Sequence, residues 1–395
     1  MTEPMRRRPP DASKNDRNER DPSGQPVQID KPVRGAEDKA WLVGLAGLAI
    51  GVFLALRVLI PNHMDTTIFV DFGEDAPVQT AYGQALLGDV TVRRGFGHDG
   101  KFFFAQANDP WYLAPERNAI VLDRPLYRAE RMLYPMIAGG FGLFSPRVVV
   151  WSMLLVNLLG LGVGAFIGAK LAIAWGGTQW LGLWIPLNVG LLFELDIGGS
   201  GIVAYVCCLA ALWASVKDKV WLASVLFAAA TLARETMIAF AFGVFLLWWL
   251  ERRRPVWSIV VVPAVALAVW TMYLWFRLQG IPGSPPQLGN FSSFPMVGLL
   301  GAFRYWLRTP VDLVFGLVVL AVLVVFVPMA LRSRLPIAWG ALPFAGLVVI
   351  LSAFVLREPF DLSRVVMPIF TAFPFLIFAP RARSGLDTLV ARGPV

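Results

Sequence analysis

The chain has only two cysteines and two histidines among its 395 residues, and the cysteines, Cys207 and Cys208, are adjacent inside an apolar run. Vicinal cysteines in a buried apolar segment are poorly placed for a structural bridge, so neither a disulfide framework nor a cysteine metal site is available. Charge is also scarce. Charged residues make up 16% of the chain, against about a quarter in an ordinary soluble domain, which excludes a soluble enzyme. No repeat with a period of roughly 20 to 50 residues is present, which argues against a transporter built by evident duplication.

Hydrophobic residues make up 56% of the chain and the mean hydropathy is +0.61. Trp41 to Ile60 is the first apolar run, and others follow at 147–173, 178–197, 201–216, 220–234, 236–250, 257–276, 309–330, 337–355 and 365–379. Most are long enough to cross a hydrocarbon core of about 30 Å. The expected fold is an all-α polytopic membrane protein of about ten transmembrane helices with a large extracytoplasmic first loop. Many of the Trp and Phe residues, including Trp248, Trp249, Trp270, Trp275 and Trp306, read as lipid and interface anchors.

A net charge of +8 does not imply nucleic acid, because the Lys and Arg excess lies in short segments between apolar runs. Lys217 to Lys219, Arg252 to Arg254, Arg332 to Arg334 and Arg381 to Arg383 fall on one side together with both termini, and the positive-inside rule makes that side the cytoplasm. Residues 1–39 hold nine Lys/Arg and eight Asp/Glu with few large apolar side chains, which reads as a disordered cytoplasmic tail. It is too long and too mixed in charge for the start of a secretory signal. Residues 40–380 form the transmembrane domain, 61–146 its extracytoplasmic loop with interfacial helices, and 381–395 a second cytoplasmic tail. Within the loop, Met132 to Phe144 is too short to span and is broken by Pro135 and Gly139-Gly140, so it reads as interfacial or re-entrant.

Ten of the twenty-seven acidic residues fall in residues 61–130: Asp65, Asp71, Glu74, Asp75, Asp89, Asp99, Asp109, Glu116, Asp123 and Glu130. Aromatic and basic residues are interleaved with them, as expected of a folded site rather than a solvated tether. Gly95 to Lys101 matches a phosphate-cradling G-x-x-x-x-G-K, but Phe102 stands where Ser or Thr would bind magnesium, and no βαβ unit surrounds it. His63 and His98 are expected to face solvent.

The stretch Gly97-His98-Asp99-Gly100-Lys101-Phe102-Phe103-Phe104 is followed by Asn108-Asp109-Pro110 and by Asp123-Arg124-Pro125-Leu126-Tyr127-Arg128-Ala129-Glu130-Arg131-Met132-Leu133-Tyr134-Pro135. It resembles bacterial integral membrane proteins implicated in cell-surface glycopolymer formation, which are similar to the GT-C superfamily of lipid-carrier-dependent glycosyltransferases. Their pattern reads close to G-Y-D-G-Q-F-Y-Y followed by D-R-P-x-Y-R-x-x-R-x-L-Y-P, and this chain departs from it at His98 and Lys101. Leu195-Asp196-Ile197, Thr231 to Thr236 and Arg364 with Pro368 resemble later elements.

The resemblance implies a GT-C-like fold and transfer of a sugar from a polyprenyl-phosphate carrier to a cell-envelope glycan or lipid acceptor, at the outer face of the plasma membrane. Such a reaction needs a carboxylate to take the acceptor proton and cations to hold the leaving phosphate. Asp99 matches the aspartate of the pattern and is nominated as base, followed by Asp71, close after the first helix, and Asp196. Arg124, Tyr127, Arg128, Arg131, Arg234, Glu235 and Arg364 are nominated for substrate and phosphate binding. Glu194 and Asp196, two apart at the end of an apolar run, are either paired structurally or ligands of a divalent metal, the one cofactor suggested. The expected partners are the sugar donor, the acceptor and membrane lipids, with no nucleic acid.

Two competing readings remain open: a transporter or flippase of lipid-linked glycan, and a non-catalytic subunit of a cell-envelope assembly complex. A flippase would distribute charged groups along a path to both faces. Phe303, Tyr305 and Trp306 with Arg304 and Arg308 suggest an amphipathic outer helix beside the Pro/Gly-rich loop 280–295.

Overall fold

An apolar run need not form one helix, and an interior proline alone does not decide it: Ser258–Arg277, Pro310–Arg332, Pro336–Ile350 and Pro359–Phe378 each continue through at least one. The computed structural model describes residues 39–252, 256–282, 291–292 and 294–379. The expected tails at 1–38 and 381–395, the arginines 253 and 254, and most of the loop 280–295 lie outside the described residues.

Helix α1 (Ala40–Leu59) leads into the first loop. The loop folds into α2 (Pro77–Leu87), α3 (Gly100–Asn108), α4 (Pro115–Asn118), α5 (Pro125–Ala129) and α6 (Leu133–Phe141). Two short strands, β1 (Phe72–Gly73) and β2 (Val92–Arg93), pair in parallel within it, Phe72 opposite Val92. Then come α7 (Pro146–Ala174), α8 (Val189–Asp196), α9 (Gly201–Val216), α10 (Val220–Ala233), α11 (Met237–Arg252) and α12 (Ser258–Arg277). Helices α13 (Val297–Trp306), α14 (Pro310–Arg332), α15 (Pro336–Ile350), α16 (Ala353–Leu356) and α17 (Pro359–Phe378) complete the chain. Among the described residues, α1, α7, α12, α14 and α17 are long and apolar enough to cross a membrane, and α9, α10, α11 and α15 are shorter apolar helices.

The run 178–197 is not one helix, contrary to its apolar length. It forms a 3-10 segment at Gln179–Trp184 and then α8. Pro186 supplies no backbone donor, and the Asn188 side chain caps the restart by accepting from Gly190 N at 2.9 Å. The Asn188 amide also donates to Met367 O and Thr371 Oγ1, both at 2.8 Å, tying the break to α17. Gln179 Oε1 accepts from Lys39 N at 3.1 Å, and Trp175 packs on Phe375. The segment therefore starts beside the beginning of α1 and the end of α17, while α8 finishes among the loop residues at the start of α17.

Tryptophan placement differs from the sequence reading. Trp249 and Trp275 are exposed, as anchors should be, but Trp248, Trp270 and Trp306 are buried. Each buried indole fills interior volume, and its N–H needs a partner there. Trp306 Nε1 donates to Arg357 O at 3.1 Å and Trp270 Nε1 to Ala129 O at 2.8 Å. In α13, Gly298, Leu299, Ala302 and Trp306 are buried, whereas Val297, Leu300, Phe303, Arg304 and Tyr305 are exposed, so its outward face is largely apolar.

The first loop has its own small core, in which Phe102, Tyr112, Val121 and Leu126 meet Trp270, Leu274 and Leu278 of α12 and its exit. Tyr273 donates to Trp111 O at 2.6 Å, and the Arg277 guanidinium donates to Tyr112 O and Leu113 O at 2.6 and 3.1 Å. Segment 132–144 contributes α6, whose Tyr134 hydroxyl donates to Met153 O and accepts from Asn157. Phe141, Leu143 and Phe144 at its end are exposed.

Of the glycines in Gly95 to Lys101, Gly100 is packed closely against backbone while Gly95 is open. A Cβ on Gly100 would lie 2.4 Å from Ile197 O and 2.7 Å from Val70 O. Gly100→Ala should therefore lower stability by about 1–3 kcal/mol, as overpacking against backbone does. Gly140→Ala, where a Cβ meets nothing within 4 Å, is the control and should be neutral or slightly stabilising. Thermal unfolding of the two proteins in the same detergent checks the difference.

Candidate functional site

The end of the bundle where α8 stops and α17 starts carries the charged residues nominated from sequence. Asp99 immediately precedes α3, and its side chain makes no cap bond to that helix. It turns instead to three guanidiniums: Arg128 Nη1 bonds Oδ1, while Arg364 Nη2 and Arg131 Nη1 meet Oδ2, the last at 3.4 Å. Burial opposes ionisation of Asp99, but the charges of Arg364, Arg128 and Arg131 outweigh it and hold the carboxyl well below its usual range.

Each of these arginines is also gripped by a carboxylate of its own. Arg128 Nε and Nη2 donate to the two oxygens of Asp123 at 2.8 and 3.0 Å. Arg131 Nε and Nη2 donate to Glu235, both at 2.8 Å, and Nη2 also bonds the Tyr127 hydroxyl. Arg364 Nε donates to Glu194 Oε1 at 2.6 Å, and its Nη1 reaches Asp361 at 3.3 Å. Arg234 Nη1 shares Glu194 Oε1 at 2.6 Å, while Gly201 N satisfies Oε2. Forked guanidinium–carboxylate pairs of this kind fix orientation as well as charge.

A second, smaller cluster adjoins the first. Arg93 donates to both oxygens of Asp196 at 2.8 and 3.1 Å, and its Nε lies 3.3 Å from Asp71 Oδ1. Asp71 has a left-handed backbone (φ +60°), a conformation worth of order 1–3 kcal/mol of strain in a non-glycine residue. Its Oδ2 is buried without a hydrogen-bond partner among the described residues. Burial raises this carboxyl above its ordinary value, and Arg93, His98 and Lys101 only partly offset the rise. Lys101 is itself buried, donating to Phe96 O at 2.6 Å and His98 O at 3.0 Å. Burial pushes its ammonium down to about 8.

The structure thus brings together Asp99, Tyr127, Arg128, Arg131, Glu194, Arg234, Glu235 and Arg364, with Asp71 and Asp196 beside them. Arg124 is half-buried just ahead of α5. Arg234 and Glu235 do not pair with each other, since each reaches a different partner. Glu194 and Asp196 are not brought to one metal position either: Glu194 serves Arg234 and Arg364, and Asp196 serves Arg93. Among the described residues no group of three or more potential metal ligands forms. His98 is half-buried with its ring edge-on to Phe193 at 5.1 Å rather than facing solvent, whereas His63 is exposed.

Arg93 escaped the sequence reading because it lies outside the motif stretches and its partner Asp196 is 103 residues away. Lys101 was visible as a departure from the pattern, but its cage of carbonyls and rings was not. No protein-family model, curated protein or solved structure matches the chain.

Glu130, between Arg128 and Arg131 in the chain, behaves differently from its neighbours. Burial and then the Glu235 carboxylate push its carboxyl from 4.5 up to about 7. The folded protein therefore keeps this proton to higher pH than the unfolded chain, so this group's contribution to stability declines as pH rises between 4.5 and about 7. Glu130→Gln abolishes that decline. Its melting temperature relative to the unsubstituted protein should be higher at pH 8 than at pH 5, read from thermal unfolding at both values.

Proposed function

We propose that the chain is a GT-C-like membrane glycosyltransferase, transferring a sugar from a polyprenyl-phosphate carrier to a cell-envelope glycan or lipid acceptor on the extracytoplasmic face of the plasma membrane. In this reading the nine apolar helices and the broken segment 178–197 make ten crossings with both termini cytoplasmic. The observation that carries the proposal is a base-competent carboxylate, Asp71, set beside a cluster of arginines at one end of an apolar bundle. Motif residues widely separated in sequence supply the arginine side of that arrangement.

A general base works best when its pKa lies near the operating pH. Asp99, surrounded by three guanidiniums, is a poor proton acceptor, whereas Asp71 has a raised carboxyl and an oxygen with no partner among the described residues. The base role therefore passes from Asp99 to Asp71. The acceptor hydroxyl oxygen bonds to the anomeric carbon, its proton passes to the Asp71 carboxylate once the acceptor has opened access to it, and the bond from that carbon to the phosphate oxygen breaks. The electron pair leaves with the polyprenyl phosphate. Arg128, Arg131, Arg234 and Arg364 are the cations assigned to the departing anion.

The placement of charge favours transfer over flipping. Among the described residues, Glu194 of α8, Arg364 of α17 and the adjoining Arg234 are buried in the cluster at one end, and away from it the enclosed Glu251 carboxylate is paired with Arg334 at the last turn of α11, whereas a flippase needs polar groups along a path to both faces. The test is incubation of the purified protein in lipid with a panel of polyprenyl-phosphate sugars and cell-envelope acceptors. Carrier consumption with glycan elongation is expected, and Asp71→Asn should reduce it by about 10²-fold or more. The acid limb of the pH–rate profile should lie above the ordinary carboxylate range. Equilibration of unchanged carrier across vesicle leaflets would instead establish the flippase reading.

Orientation has a separate check. Leu113 is 72% exposed on the loop, so Leu113→Cys in a background with Cys207 and Cys208 replaced should react with a membrane-impermeant maleimide on intact cells. Reaction only after the membrane is breached would reverse the topology.

A further inference from the structure

The charge balance of the main cluster makes the position of Asp99 unusual. Five carboxylates, Asp99, Asp123, Glu194, Glu235 and Asp361, face four guanidiniums, Arg128, Arg131, Arg234 and Arg364. These pairs already engage the four guanidiniums, so an incoming anion has to compete with a carboxylate for them, with Lys101 and Arg124 as further cations beside Asp99 and Asp123. Four of the five acids sit behind the arginines: Asp123 grips Arg128, Glu235 grips Arg131, and Glu194 and Asp361 grip Arg364.

Asp99 is the exception. It occupies the point where the remaining N–H groups, Arg128 Nη1, Arg131 Nη1 and Arg364 Nη2, converge. Because each guanidinium is held from behind by its own carboxylate, their orientation does not depend on Asp99. Three converging donors suit a tetrahedral oxyanion better than a planar carboxylate.

We propose that Arg128, Arg131 and Arg364 form a preorganised cradle for the phosphate of a lipid-linked phosphate ester, and that Asp99 is its exchangeable internal occupant, displaced when that phosphate binds. The assignment to a lipid phosphate rests on the transferase reading above; the exchange itself rests on the geometry. Asp99 makes no cap bond to α3, so its release costs that helix no hydrogen bond. The buried ammonium of Lys101, which shares an electrostatic interaction with Asp99, supplies a counter-charge for the released carboxylate. Without bound phosphate, Asp99 keeps stray anions out and spares the three arginines an uncompensated burial.

The test is direct binding of farnesyl phosphate and of inorganic phosphate to the full chain in phosphatidylcholine nanodiscs, with no turnover required. Asp99→Asn removes the competing charge and should tighten binding by at least about tenfold, because carboxylate–phosphate repulsion in a desolvated site is large. Glu235→Gln and Asp123→Asn remove supports and should weaken binding, as should Arg364→Gln. Tightening with both probes assigns the cradle to the phosphate group itself, and tightening with farnesyl phosphate alone assigns it to lipid-linked phosphate. Unchanged or weaker binding of both probes by a folded Asp99→Asn protein overturns the exchange.

Asp99→Ala gives a second readout. Added phosphate should raise its melting temperature more than that of the unsubstituted protein, and failure to fold even with phosphate present would also overturn the proposal. Binding of the predicted sign without any sugar transfer leaves the cradle standing and removes the transferase reading. Sugar transfer with weaker phosphate binding by Asp99→Asn does the reverse.

Discussion

Arg131 reaches across 104 positions of sequence to grip Glu235 with two hydrogen bonds of 2.8 Å, and much of the remaining arrangement depends on such pairs. A guanidinium or carboxylate buried alone is too costly to persist. The first loop therefore has to sit where its charges meet those at the α10–α11 junction, the end of α8 and the start of α17. Apolar packing against α12 brings the loop near the bundle without directing single atoms, whereas forked ion pairs fix both distance and angle. A buried network of this kind is weak evidence for net stability and stronger evidence for specificity.

The same constraint accounts for much of the local chemistry. Asp99 and Asp71 lie in one loop and are both buried, yet their surroundings drive their carboxyls in opposite directions. Three guanidiniums keep Asp99 ionised. Asp71 has the longer contact to Arg93, whose two Nη groups are taken by Asp196. Paired titratable groups pushed apart by environment are a recurring mark of functional sites. Gly100 allows this crowding, because its missing side chain lets α3 start directly against Ile197 O and Val70 O.

Much of the helix layout was legible from apolar runs, since a long run with no interior break has few alternatives to a helix in lipid. Gly201–Val216 coincides with its run at both ends. The run 178–197 misled because composition alone hides the pairing of Pro186 with the Asn188 cap, which stops one helix and starts another. The motif stretches identified Asp99, Arg128 and Arg131 as one group, but not which of them would neutralise the others, because that depends on Glu194, Glu235 and Arg364 arriving from elsewhere in the chain. Trp306 was read as an anchor for a related reason: an indole in an apolar stretch has the same sequence signature whether it faces lipid or a carbonyl such as Arg357 O.

The central claim is that the buried arginine–carboxylate pairs fasten the first loop to the helix ends, and a double-mutant cycle on Arg131 and Glu235 tests it most directly. Unfolding free energies of Arg131→Gln, Glu235→Gln and the double variant would be compared with the unsubstituted protein in one detergent. Each single substitution is expected to cost about 3–5 kcal/mol by stranding its buried partner, and the double variant clearly less than the two together. Strictly additive losses would contradict the account, since they would mean that the two side chains contribute to stability independently of each other.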